Sequence, residues 1–218
     1  SLGEDCAARG EAGKALLYYR KAGQTAQGMP DIEYTPRICL RLAQAETRYV
    51  SAKKAMALAA EAAQGFAILV TQKFGAGDRQ GRLHSSKSTD NSRLILALTA
   101  MGKDVTNVGG HNLLQGLTDM KFVKKQGING PIWALIALDS HDYEIPAATS
   151  GADPVTRQKL IDAILAGQLP DGGWTISGQI ADADMTGMAI QALAPYYKTQ
   201  EKVRTGVDQA LQVLSKLQ

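Results

Sequence analysis

The sequence predicts an all-α protein built from pairs of helices, and two patterns in the chain indicate this class. The first is a set of three segments that are apolar on nearly every face, at residues 94–101 (LILALTAM), 131–138 (PIWALIAL) and 185–193 (MTGMAIQAL). The second is a set of intervening segments whose apolar residues form a stripe on one side only. No segment shows the sustained alternation typical of a strand. Helices of the first kind need burial on all sides, so we expect an inner layer covered by an outer one.

The three inner segments are related to one another. Each contains an Ala-Leu pair, at residues 97–98, 137–138 and 192–193, and the pairs are 40 and 55 residues apart. These spacings lie within or near the period of repeats made of two helices. The segments also carry several alanines, which would let neighbouring inner helices approach closely.

The outer helices are predicted between and after the inner ones. The clearest follows Asp153, which we expect to be the N-cap, with Pro154 in the first turn and Gly167 at the end. A weaker outer helix is expected over residues 108–122, because it is interrupted by three glycines. The stripes of the two regular outer helices consist of Leu160, Ile161, Ile164 and Leu165, and of Val203, Val207, Leu211 and Leu214.

The N-terminal part of the chain is less regular. Helices are expected over residues 12–27, 36–49 and 52–74, with a turn at 28–36 and a polar loop at 79–90. They bring the total to four or five helical pairs. We therefore expect a single domain over residues 1–218, in which residues 80–218 carry the repeats and residues 1–79 supply further helices. We also expect it to be part of a larger protein.

Composition excludes several classes of function. No apolar run approaches the roughly 18 residues that a membrane span needs, so we expect no membrane insertion. The chain has 24 basic and 21 acidic residues without a basic block, so nucleic acid is not an expected partner. No signal peptide is recognised in residues 1–20. Cys6 and Cys39 are either one disulfide or two reduced, buried thiols. Because the three histidines are scattered and no metal-ligand spacing occurs, we expect neither a metal nor a cofactor.

Residues 168–174 (QLPDGGW) and 182–189 (DADMTGMA) carry the most specific pattern in the chain. The first stretch resembles the Gln…Gly-x-Trp turn of the prenyltransferase and squalene cyclase repeat. The second is similar to the Asp-x-Asp-Asp-Thr-Ala helix start of the cyclases. The resemblance covers residues 80–197, and it extends to cobalamin carriers and, most strongly, to toroid domains of Gram-positive surface proteins. It implies an α/α toroid, which would be an open or incomplete ring because that family has six helical pairs.

The resemblance also implies a function and a location. It favours a non-catalytic binding or scaffolding domain of a secreted or cell-surface bacterial protein. The ligand would be a small molecule such as a corrinoid, a glycan or a peptide, and the other partners would be further domains of the same protein.

The alternative function is an enzyme, similar to a terpene cyclase or acting on a polysaccharide. It would use Asp184 as general acid and Asp182 as its partner. The cyclase pattern has a third carboxylate where this chain has Met185, and carbocation chemistry needs more aromatic faces than the 6% of aromatic residues supply. Capping of the inner helix by Asp182 or Asp184 explains the same residues without chemistry.

A binding surface is expected at the starts of the inner helices. Helices that run parallel inside a ring direct their unpaired N–H groups to one end, where they favour an anionic or oxygen-rich ligand. We expect a concave, mainly apolar surface there, with aromatic anchors whose alternative role is packing between the layers. The ligand-binding candidates are Asp90, Asn91, Asn129, Trp133, Asp182, Asp184, Thr186, Tyr196 and Tyr197. The residues expected to brace the turn before the last inner helix are Gln168, Gly172, Gly173 and Trp174.

Overall fold

The computed structural model describes residues 12–26, 57–62 and 81–217, together with residues 6, 9, 64, 65, 67, 68 and 70. Within these residues all regular secondary structure is helical, which confirms the all-α class. The expected turn at 28–36, the helix at 36–49, the ends of the helix at 52–74 and Cys39 lie outside the described residues. The chain divides into two compact units. The first consists of residues 1–76, 100–104 and 108–111, and the second consists of residues 77–99, 105–107 and 112–218.

The helices are numbered here in chain order. They are α1 (Ala12–Ala26), α2 (Ser88–Ala100), α3 (Met120–Val123), α4 (Asn129–Asp139), α5 (Arg157–Ala166), α6 (Ala183–Leu193) and α7 (Glu201–Leu217). Short 3₁₀ turns at Leu113–Leu117, Lys124–Gln126 and Ala194–Tyr196 lie between them. None of the helices in the described parts of the chain is long and apolar enough to cross a bilayer.

The first unit contains α1 and a helical segment at residues 57–62. Leu16 of α1 is buried, and Tyr19 and Leu58 pack against it. Cys6 is a buried free thiol, and the guanidinium of Arg9 lies 3.5 Å from its sulfur. This agrees, for Cys6, with the interpretation as a reduced and buried cysteine.

The second unit contains α2 to α7, and its contacts show that α2 and α4 run in the same direction. At their starts, Ser88 Oγ donates to the Val123 carbonyl over 3.2 Å, and the same carbonyl lies directly against Gly130. At their ends, the hydroxyls of Thr99 and Tyr143 are 2.7 Å apart. Because the starts are adjacent and the ends are adjacent, the two helices are parallel.

The contacts of α6 place it in the same layer. It packs against α4, and the Tyr196 hydroxyl just beyond its end donates to the carboxylate of Asp139, the last residue of α4, over 2.8 Å. The helices α2, α4 and α6 are the three segments that the sequence predicts as inner helices. They therefore form one layer of parallel helices.

The helices α5 and α7 run in the opposite direction. Arg157 at the start of α5 donates to Asp139 at the end of α4 over 2.7 Å, so this pair is a helical hairpin. Gln200 at the start of α7 donates to Gln158 at the start of α5, which makes α5 and α7 parallel to each other. Since α5 packs on α4, and α7 packs on both α5 and α6, these two helices form a second layer.

Three expectations about the outer helices are wrong in detail. The first concerns residues 108–122, which form a turn, a 3₁₀ segment and the short α3 instead of one helix. Gly109 and Gly110 have φ of 60° and 85°, which a right-handed helix does not allow. Asn112 and Asp119 each cap a new short segment with their side chains, so the backbone restarts twice.

The second concerns the start of α5. Its N-cap is Thr156, whose hydroxyl accepts from the Lys159 amide over 3.1 Å, and Asp153 lies outside the helix. Residues 153–155 are held in extended form, because the Asp153 carbonyl accepts from Met120 N and Val155 N donates to the Thr118 carbonyl. These backbone hydrogen bonds to residues 118–120 keep Asp153 outside the helix, although Asp followed by Pro is a sequence pattern typical of a helix start. Gly167 ends the helix as expected.

The third concerns the stripe of α7. Leu211 is 50% exposed, and Ala210 is buried in its place. The buried residues are Val203, Val207, Ala210 and Val213. The helix exists as expected, but its buried face is turned slightly from the one predicted.

Candidate functional site

The turn between α5 and α6 is held by hydrogen bonds from Gln168. Its side-chain amide donates to the carbonyls of Gly172 and Gly206 over 2.7 and 2.8 Å, and so connects the turn to α7. The backbone N–H of Gly172 donates to the Leu169 carbonyl, and Gly172 has φ of 100°, which requires glycine. The Gln168 amide was expected to bond to backbone groups freed at helix ends. It does bond to backbone carbonyls, but these belong to the turn and to the interior of α7.

Trp174 joins the turn to both neighbouring helices. Its ring is fully buried, and its indole N–H donates to the carbonyl of Ile164 in α5 over 2.7 Å. Its backbone N–H donates to Thr186 Oγ1 over 3.0 Å, and the Thr186 hydroxyl donates back to the Trp174 carbonyl over 3.2 Å. Thr186 is completely buried, so its hydroxyl is used in the fold and not on a ligand surface. This corrects its expected role as a ligand-binding residue.

The two aspartates at the start of α6 have different roles. Asp182 is the N-cap, because its carboxylate accepts from the Met185 N–H over 2.7 Å. Asp184 lies exposed in the first turn, where its negative charge faces the positive end of the helix dipole. The alternative enzyme function needs Asp184 to be an acid within a cavity, and the exposed position does not favour that role.

A third aspartate belongs to the same turn. Asp171 accepts from the backbone N–H groups of Gly173 and Ala181 over 3.0 and 3.1 Å. These bonds favour the ionised carboxylate and hold the pKa of Asp171 below its ordinary value. Asp171 therefore closes the loop of residues 175–180 at its base.

At the start of α2, Asn91 performs a task similar to that of Thr186. It is fully buried, and its side-chain nitrogen donates to the carbonyls of Gly81 and Leu113 over 2.8 and 3.0 Å. Its side-chain oxygen accepts from the Leu83 N–H over 3.0 Å. Asn91 is therefore a structural residue, which corrects its expected role in ligand binding.

The remaining polar candidates at helix starts are partly accessible. Asp90 lies half-buried in the first turn of α2, and Asn129 lies half-buried as the first residue of α4. Since the starts of α2 and α4 are adjacent, the structure brings these two residues to the same end of the layer. Asp182 and Asp184 lie at the start of α6, which is parallel to both.

The two tyrosines lie at the opposite end of α6. Tyr196 donates to Asp139 over 2.8 Å, and burial together with this bond raises the pKa of Tyr196 above its usual range. Asp139 also accepts from Arg157, so this network fastens the ends of α4 and α6 to the start of α5. Tyr197 donates to Asp208 of α7 over 2.8 Å. Neither tyrosine lies near the starts of the inner helices α2, α4 and α6. Both connect neighbouring helices, which agrees with their alternative role in packing between the layers.

One side of the inner layer remains accessible to solvent, and we name it the inner-layer face. On α4, residues 130–132, 134–135 and 137–138 are buried, whereas a single stripe is not. Similar stripes with helical spacing occur on α2 and α6. The stripes consist of Arg93, Leu96, Ala97 and Ala100 on α2, of Asn129, Trp133, Ile136 and Ser140 on α4, and of Asp184, Gly187, Met188 and Gln191 on α6.

Trp133 and Arg93 form the most distinctive contact on this face. The guanidinium carbon of Arg93 lies 5.1 Å from the centre of the Trp133 ring, within the range of a cation–π interaction. Trp133 is half-buried, so part of its ring remains free to pack against another molecule. The sequence indicated Trp133 but not Arg93, because its position beside the ring depends on how α2 packs against α4.

The described residues contain no group of three or more His, Cys, Asp or Glu side chains that could hold a metal ion. Comparison of the chain with protein-family models, with curated proteins and with solved structures found no match.

Proposed function

We propose that this chain is a non-catalytic binding domain in which the two helix layers are part of an α/α toroid. The proposal includes the family resemblance and a place in a secreted or cell-surface bacterial protein. The observation that carries it is the inner-layer face, on which a half-exposed Trp133 and an exposed Arg93 lie among small and apolar residues. Ligand sites are lined mainly by apolar and aromatic side chains, with a few polar groups that fix the orientation of the ligand.

The use of the polar residues supports binding over catalysis. Asn91, Thr186 and Asp182 all have their side chains committed to the backbone of neighbouring segments. The side chains left on the inner-layer face include an aromatic ring, a guanidinium and an exposed carboxylate. These groups recognise a ligand by stacking, by charge and by hydrogen bonds, and they do not include a nucleophile paired with a base.

The arrangement of the helices supports the toroid. Parallel inner helices covered by outer helices of opposite direction are what consecutive hairpins around an axis require. An experimental structure of a longer chain in which further hairpins continue both layers would support the ring. Inner helices that alternate in direction would contradict it.

The experiment that tests the binding function is a thermal-shift screen of the 218-residue chain with cobalamin, oligosaccharides, peptides and isoprenoids. A ligand at a hundredfold excess over its Kd stabilises the protein by about 2.7 kcal/mol. For a chain of this size, that corresponds to a rise in Tm of roughly 5–10 °C. We expect such a rise with at least one class of ligand.

The matched variants are Trp133→Ala on the inner-layer face and Leu211→Ala, which removes an exposed apolar side chain from the outer helix α7. We expect the first to abolish the ligand-induced shift and the second to retain it. Stabilisation by no ligand would leave a purely structural role. Turnover of an isoprenoid or a polysaccharide that stops in Asp184→Asn would replace the proposal with the enzyme alternative.

A further inference from the structure

A group of exposed lysines lies beside the starts of α2 and α4. We name Lys87, Lys121, Lys124 and Lys125 the lysine patch. The Lys125 ammonium donates to the Ser85 carbonyl over 3.1 Å, which brings residues 121–125 next to the loop that carries Lys87. The four ammonium groups make no ion pair with a carboxylate among the described residues.

Two of the carboxylates close to the patch are paired with other cations. Asp119 pairs with Arg82 over 2.8 Å, and Asp153 pairs with Lys159 over 2.6 Å. The pKa of Asp153 is lowered chiefly by its bond with Lys159, with smaller contributions from Lys121 and Lys124, which places these two lysines nearby. These two pairs cancel. Asp90, three residues after Lys87, adds one negative charge beside the four lysines, so the lysine patch keeps a net positive charge.

A surface of opposite charge lies at the start of α6. Residues 160–197 contain four aspartates and no lysine, arginine or histidine. Three of the aspartates, Asp171, Asp182 and Asp184, flank a loop on which Ile176 and Ile180 are 67% and 78% exposed. We name residues 171–184 the aspartate loop. Two large aliphatic side chains at such exposure next to uncompensated charges are typical of a surface that contacts another protein.

The loop presents these side chains on a fixed base. The Asp182 N–H donates to the Trp174 carbonyl over 3.0 Å, and Ala181 N–H donates to Asp171 over 3.1 Å. Trp174 itself is fully buried. The two ends of residues 175–180 are therefore held together, and the isoleucines project from a closed turn.

The lysine patch and the aspartate loop lie at the same end of the inner layer of the second unit. The helices α2, α4 and α6 are parallel, and the lysine patch flanks the starts of the first two while the aspartate loop contains the start of the third. Packed helices lie about 8–10 Å apart, so the two surfaces are neighbours. A surface with a positive side and a negative side is self-complementary about a two-fold axis.

We propose that two copies of this chain associate through this end, with the lysine patch of each copy on the aspartate loop of the other. The contact is isologous, so each dimer contains it twice. The exposed isoleucines add apolar contact area, and the charges set the orientation and the rate of association. Because exposed charges are screened by salt, the dimer is weak and depends on ionic strength.

The test is sedimentation velocity of the 218-residue chain from about 5 to 300 µM, at 20 mM and at 500 mM NaCl. We expect a reversible monomer–dimer equilibrium at low salt and at least a tenfold rise in Kd at high salt, since the Debye length falls well below 10 Å. A monomer at every concentration at low salt would overturn the proposal.

Charge exchange makes the test specific. We expect both K121E/K124E and D184K to raise Kd at least tenfold, and an equimolar mixture of the two variants to associate more tightly than either alone. I176A/I180A should also weaken the dimer. The control is K202E/K216E, which makes the same change of net charge at exposed positions of α7. Its Kd should stay within about threefold of the wild type.

Two further results would contradict the proposal. An equal loss of association in K202E/K216E would show that net charge alone controls it. A wild-type chain that stays monomeric but is retained on a sulfated-polysaccharide column, with loss of retention in K121E/K124E, would make the lysine patch a site for a polyanion instead. Circular dichroism of every variant checks that the helices are intact.

Discussion

Asn91 in α2 and Thr186 in α6 occupy the same place, the fourth residue of two parallel helices, and both are buried and bonded to the segment that leads into the helix. The Asn91 amide reaches three backbone groups in two segments. The Thr186 hydroxyl reaches a single residue, Trp174, which it both donates to and accepts from. The number of hydrogen bonds differs because the segments that lead into the two helices are packed differently.

The segment that leads into α6 contains a large buried side chain, Trp174, whereas residues 81–87, which lead into α2, contain no buried side chain of that size. Trp174 fills the space between α5 and α6, so the hydroxyl of Thr186 only has to satisfy the backbone of a residue that is already buried. Residues 81–87 are half-buried or exposed, and the amide of Asn91 holds them without such a ring. Two equivalent helix starts thus use different means, packing in one and hydrogen bonds in the other.

The largest effect is expected from Trp174→Ala. Replacing a buried aromatic side chain by alanine costs about 3–5 kcal/mol. The change also removes the indole bond to the Ile164 carbonyl, which keeps only its bond from the Gly167 N–H. Urea unfolding followed by circular dichroism measures the loss, with Trp133→Ala at the half-buried tryptophan as control. Equal losses in the two variants would contradict the anchoring role of Trp174.

The next effect is expected from Asn91→Ala. It removes the bonds to the Leu83 N–H and to the carbonyls of Gly81 and Leu113, of which the last is buried and the other two are partly buried. Orphaned buried groups cost about 1–3 kcal/mol each before relaxation. We expect a loss of roughly 3 kcal/mol in unfolding free energy, because part of the loop can move towards water. The same substitution at the exposed Asn107 should stay within about 0.5 kcal/mol of the wild type.

Thr186→Val should cost less, roughly 1–2 kcal/mol. Valine keeps the shape of threonine, so the packing against Trp174 is preserved and only the two backbone bonds are lost. Thr205→Val on the exposed side of α7 is the control. A larger loss in Thr186→Val than in Asn91→Ala would mean that the start of α6, and not that of α2, depends more on side-chain hydrogen bonds.

Asp182→Ala is expected to remove about 1 kcal/mol, the usual value of an N-cap. Asp184→Asn should remove no more than about 0.3–1 kcal/mol, because it loses only the interaction of a charge with the helix dipole. Chemical denaturation of the two variants in parallel decides between the roles. A larger loss at Asp184 would mean that the first-turn charge, and not the cap, stabilises α6.

The smallest effect concerns pH. The pKa of Asp171 is held below its ordinary value, so the stability that it contributes is present above the pKa of the unfolded chain, near 3.9, and is lost as the pH falls through the folded value. Amide resonances of Gly173 and Ala181 should titrate with a midpoint below 3.9. The Leu83 amide resonance should not titrate in this range, because its acceptor is the uncharged side chain of Asn91. A similar titration of Leu83 would show that the change does not report the Asp171 carboxylate.

Much of the helical framework could be predicted from the sequence. All-apolar segments predict helices that need burial on all sides. The helices α2, α4 and α6 contain the expected segments, apart from Met101, but each keeps one stripe that is only partly buried. The sequence also predicted that the Trp174 indole would have an acceptor, since a buried donor needs one. It did not identify the Ile164 carbonyl as that acceptor. Burial of apolar side chains and pairing of buried donors are local requirements, so they can be recognised from the residue types alone.

The tertiary structure decided which polar residues face inward. Asp90 and Asn91 are adjacent in sequence, yet one is half-buried and the other is fully buried and bonded to segments 8 to 22 residues away. Asp153 lost its expected capping role because the backbone around it pairs with residues 118–120. Arg93, Asp139 and Arg157 gained roles that no local pattern shows. The sequence by itself determined where the regular helices α2, α4, α5, α6 and α7 lie, because their apolar patterns depend on the side chains of one segment, but it did not determine the breaks within residues 108–122. Only the packing of α2, α4 and α6 determined which side chains remain for a ligand, because a polar group is used or left free according to what lies opposite it.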